Sequence, residues 1–67
     1  MTVPNERTRA VAQTREFLLA LLDPKKTPRV RSEIRKQAYW CLRHYPGYHD
    51  LVVSARHLPD TWGLPDA

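Results

Sequence analysis

Three proline-bearing breaks divide this chain, and the residues between them repeat with a helical period. Asp23-Pro24 closes a first segment, Pro46-Gly47 a second and Pro59 a third. There are two glycines, no strand-like alternation beyond four residues and no internal repeat. A half-buried strand needs apolar and polar residues in strict alternation, so the pattern excludes a sheet and predicts helices. Sixty-seven residues allow one domain, residues 1–67, which buries only ~60% of the surface its unfolded chain exposes. The expectation is an all-α fold, a small three-helix domain around one modest core.

The first helix is expected over about residues 4–22. Pro4 suits a first turn, where its missing N–H costs nothing, and Glu6 favours the helix dipole there. On a helical wheel Ala10, Val11, Thr14, Phe17, Leu18, Leu21 and Leu22 share one arc, which marks them as the buried face. The second helix is expected over about 29–45, with Thr27 as N-cap and Pro28 at the first helical position. Ser32 offers a later cap. Val30, Ile34, Ala38, Cys41, Leu42 and Tyr45 form its apolar face. The third helix, about 49–58, puts Leu51, Val52, Ala55 and Leu58 on one side, with Asp50 in its first turn. Beyond Pro59 the sequence is irregular, and Trp62 and Leu64 are expected to fold that tail back over the helices.

Several function classes find no support. The longest apolar run, Phe17 to Leu22, is far short of the ~20 residues a membrane-spanning helix needs. Residues 1–7 lack the basic start and apolar stretch of a signal peptide, and Cys41 is the lone thiol, so a reducing cytoplasm is expected. Cys41 and His44, with His49 or His57, have ligand chemistry but not the four well-spaced groups of a structural zinc site. Cys41 is expected instead as a small buried hydrophobe. No glycine-rich phosphate loop and no motif joining Cys41, His49, Asp50 and Ser54 is present, so no catalysis, cofactor, metal or small-molecule substrate is expected. A helix-turn-helix reading of the second and third helices fails on chemistry. Its recognition helix would open His49-Asp50, placing an acid where phosphates should lie.

Charge is the feature that folding does not require. Residues 1–23 are neutral, and residues 44–67 carry a net −2. Residues 24–43 hold Lys25, Lys26, Arg29, Arg31, Arg35, Lys36 and Arg43 against Glu33 alone, a net +6. Arg29, Lys36, Tyr39 and Arg43 are expected on one exposed stripe, with Arg35 at its edge and Trp40 on its border. Basic side chains around an aromatic suit phosphates and unstacked bases, so nucleic acid is the favoured acidic partner. The alternative is an acidic protein surface, or a second copy of the chain, anchored by Trp40 and the neighbouring arginines.

Four segments carry a resemblance. Glu6-Arg7-Thr8-Arg9-Ala10, Gln13-Thr14-Arg15-Glu16-Phe17-Leu18-Leu19, Leu22-Asp23-Pro24 and Leu42-Arg43-His44-Tyr45-Pro46 together resemble an uncharacterised family of short bacterial proteins. The resemblance spans roughly residues 1–46. It implies a bacterial cytoplasmic accessory protein and carries no functional residue over to this chain.

Overall fold

Val3 and Glu6 set the start of the first helix by local bonding alone. The Val3 carbonyl accepts from the Glu6 and Arg7 N–H groups at 3.1 and 3.2 Å, and the Val3 N–H donates to Glu6 Oε1 at 3.0 Å. With Pro4 at the first helical position, α1 runs Pro4–Leu22. The same device opens the third helix. The Gly47 N–H donates to Asp50 Oδ2 at 2.9 Å, half of a capping box, since glycine has no side chain to return the bond. In this computed structural model, which describes residues 2–65, the helices are α1, α2 (Ser32–Leu42) and α3 (Tyr48–His57). The fold is all-α, with no strand among the described residues. Asp66 and Ala67, the end of the tail expected to fold back, lie outside them.

The chain divides into two compact units, Met1–Gln13 with Pro46–Ala67, and Thr14–Tyr45, and α1 belongs to both. In the first unit Thr8 is fully buried. Its hydroxyl lies 2.7 Å from the Gly63 carbonyl and 3.3 Å from the Pro4 carbonyl. Beside it the Arg7 guanidinium donates to the Thr61 and Thr2 carbonyls at 3.0 and 2.9 Å, and to Thr2 Oγ1 at 3.1 Å. The tail thus folds back onto the first turns of α1, as expected, but polar bonds hold it. Gly63 is required by proximity, because a Cβ there would stand 2.6 Å from the Asn5 Cα. Leu51 and Ala55 of α3 are buried and Trp62 is half-buried, whereas Leu64 is exposed against expectation. Leu58, also expected inside, is 56% exposed because the helix ends before it.

The second unit corrects the expected start of α2. Thr27 does not cap that helix. Its hydroxyl donates to the Ala20 carbonyl at 2.7 Å and approaches the Asp23 carbonyl at 3.1 Å, meeting orphan acceptors at the end of α1. Asp23 folds the connection as well, accepting from the Lys25 N–H through Oδ1 at 2.9 Å and from the Lys26 and Thr27 N–H groups through its carbonyl. Residues 24–31 are therefore turns, and α2 begins at Ser32 behind an extended Arg31 that makes no side-chain cap bond. Its helical end at Leu42 also falls short of the expected Tyr45.

Both amphipathic faces are rotated from the expected ones. Along α1 the least exposed stripe is Pro4, Thr8, Val11, Arg15, Leu18 and Leu22, alternating steps of four and three. Thr8, polar but hydrogen-bonded, turns this stripe inward, and Ala10, Thr14 and the 62% exposed Phe17 are left outside. Along α2 the inward line is Arg35, Ala38 and Leu42, of which Ala38 is buried. Ile34 and Cys41, expected inside, lie on its flank and are exposed. Among the described residues no helix is long and apolar enough to cross a membrane.

Candidate functional site

Arg35 was expected at the edge of a binding stripe, and the structure gives it other work. Its guanidinium donates to the Leu21 carbonyl at 2.6 Å, to Thr27 Oγ1 at 3.3 Å and to the Thr27 carbonyl. The last turn of α1 contains no basic residue of its own. Arg35 supplies that missing cation from 14 residues further along, placing positive charge and N–H donors against the negative end of the helix. It is half-buried and committed to the fold. Its neighbour Lys36 faces outward.

Four side chains of the expected site do assemble. Lys36, Tyr39, Trp40 and Arg43 are spaced i, i+3, i+4 and i+7, which puts them together on the face of α2 opposite Ala38. All four are exposed, Tyr39 and Trp40 by 58% each. By that spacing Trp40 lies at one edge of the arc, as expected, and Tyr39 at the other, with Lys36 and Arg43 between them. The Arg43 guanidinium carbon sits 4.9 Å from the centroid of the indole, a cation–π contact at i, i+3. Arg29 is exposed too, but in the turn segment before α2 and not on the same helical stripe, because the helix starts three residues after it. The face covers about 10 Å of helix, close to the length of three stacked nucleotides.

The electrostatics of this unit are one-sided. Thr14–Tyr45 carries eight Lys and Arg, counting Arg15, against Glu16, Asp23 and Glu33, a net +5. The rest of the chain nets −1, from Arg7, Arg9 and Arg56 against Glu6, Asp50, Asp60 and Asp66. Lys25, Lys26, Arg29, Arg31 and Lys36 are exposed, and none forms an ion pair among the described residues. No group of three or more His, Cys, Asp or Glu suited to a metal occurs among the described residues. Asp50, the acid that counted against a recognition helix, is the carboxylate that caps α3.

Sequence reasoning missed the role of Thr8, and it misassigned Thr27 and Arg35. Their signal is weak in one dimension, since each bonds to a carbonyl whose position the fold decides. The helical spacing of Lys36, Tyr39 and Arg43 was legible and sufficed for the outward face, with Trp40 on its border. No protein-family pattern, no curated protein and no solved structure matches this chain.

Proposed function

We propose that this is a non-catalytic binding protein of the bacterial cytoplasm that holds nucleic acid against the outward face of α2. The observation that carries the reading is the exposed Lys36, Tyr39, Trp40 and Arg43 group, set in a unit of net +5. Phosphates are neutralised by Lys36 and Arg43, with Arg29 reaching the strand from the preceding turn. Nothing in this arrangement reads base edges in a fixed order, so the binding is expected to be indifferent to sequence. Arg35 does not take part, because it is half-buried and three hydrogen bonds hold its guanidinium on Leu21 and Thr27.

Salt tests this directly. Three phosphate contacts give a log–log slope of roughly −2 on single strands and −3 on duplex. Lys36→Ala should weaken binding on every sequence alike and flatten the slope by about one unit. Failure of all oligonucleotides to bind at ~50 mM salt, where the ionic contribution is near its strongest, overturns the reading.

One observation favours a second reading, a protein partner. Trp40 is a large exposed aromatic beside an arginine, the residue types that dominate protein interfaces. In that case Trp40→Ala abolishes capture of the partner, nuclease treatment of the lysate does not, and salt acts mainly on the association rate.

A further inference from the structure

A tryptophan is the wrong residue for a duplex groove and the right one for an unpaired base. Its single N–H donates and it accepts nothing, so it reads base edges poorly. Its ring, by contrast, offers a wide π surface on which any base stacks. In this structure Trp40 is exposed by 58%, and Arg43 is the one group recorded over its ring among the described residues. A guanidinium held over an indole keeps N–H donors around its rim, and the Arg43 side chain makes no hydrogen bond among the described residues. Lys36 stands one turn before Trp40 on the same face, and Tyr39 adds a second exposed ring beside it.

Resting on the reading of α2 as a nucleic-acid surface, we propose that the site is specific for single strands, with Trp40 as the platform on which one unpaired base stacks. Arg43 backs the indole and meets the adjoining phosphate, and Lys36 takes the next phosphate along the strand. In a duplex the base faces are already stacked on one another. The protruding indole then finds only edges and backbone, and it holds the flanking cations off. Selectivity therefore comes from shape and stacking, and charge supplies the affinity common to all polyanions.

The test uses a Trp62→Phe background, so that Trp40 is the only indole, and compares three probes at ~50 mM salt. These are a single strand of about twelve nucleotides, a duplex of the same length and a heparin fragment of similar charge. The expected result is tighter binding of the single strand than of either other probe, with quenching of the indole by the single strand alone. Trp40→Ala should weaken single-strand binding roughly 5- to 100-fold at an unchanged salt slope, and the duplex and heparin by less than about two-fold. Trp40→Phe, which keeps a ring, should restore most of the loss. Circular dichroism of each variant confirms that α2 is intact. Equal affinity for duplex and single strand, or equal weakening of all three probes by Trp40→Ala, overturns the stacking platform while leaving the nucleic-acid reading in place. Heparin bound as tightly as the single strand also overturns it. Absence of binding to any oligonucleotide removes that reading, and the platform with it.

Discussion

Gly63 and Arg35 show how much of this fold hangs on single contacts. Gly63 lies against the α1 backbone at Asn5, and its neighbour in that contact is main chain, which cannot swing aside. Gly63→Ala is therefore expected to cost about 1–3 kcal/mol through overpacking. In a chain of this size each kcal/mol corresponds to a Tm shift of about 4–8 °C, so a thermal melt reads it directly. A variant that melts like the parent would show that the tail does not rest on α1 in solution. Arg35→Gln strips the end of α1 of its cation and leaves the Leu21 and Thr27 carbonyls short of donors, an expected loss of about 1–3 kcal/mol. Its oligonucleotide salt slope should stay at the parent value, measured below the lowered Tm. A slope flattened by about one unit would instead return Arg35 to the phosphate contacts.

At the scale of the elements, the rotation of α2 about its axis decides which chemistry faces outward. With Arg35, Ala38 and Leu42 inward, Cys41 falls on the exposed flank. Its thiol should react with a maleimide in native protein within a few-fold of its rate in denaturant, since access is not the barrier. Labelling slowed by orders of magnitude in the native state would mean that the helix is rotated toward the originally expected face. Such a rotation would also turn Trp40 and Lys36 away from their present positions, so this simple measurement bears on the site as well. The helix ends tell a complementary story. Glu6 and Asp50 close α1 and α3 with their own carboxylates, whereas α2 has no side-chain cap at its start.

For the molecule as a whole, the segregation of charge carries the functional argument. The net +5 of Thr14–Tyr45, against −1 in the rest of the chain, is the charge distribution on which the proposed binding of a polyanion at that unit rests. Arg56→Ala, in α3, should leave oligonucleotide affinity and its salt slope nearly unchanged, in contrast to Lys36→Ala. Equal effects of the two variants would spread the binding over the entire surface and dissolve the localised site. The margin for such variants is thin, since Thr8, Ala38, Leu51 and Ala55 are the buried residues among those described. A total stability of about 5 kcal/mol is the scale to expect, so substitutions should be kept to exposed positions when function is the question.

Three helices, their breaks at Asp23-Pro24 and Pro46-Gly47, the acids Glu6 and Asp50 in the first turns of α1 and α3, and the outward position of Lys36, Tyr39 and Arg43 were all determined by the sequence alone. Each depends on residues within about one or two helical turns, where proline geometry, capping and 3.6-residue periodicity act without help from distant chain. The tertiary structure alone decided which part of each apolar arc would be covered, and it left Phe17, Ile34 and Cys41 outside. It also gave Thr8, Thr27 and Arg35 their partners at carbonyls 55, 7 and 14 residues away. A buried polar group must find a hydrogen bond wherever the fold happens to offer one, and no local pattern encodes that address.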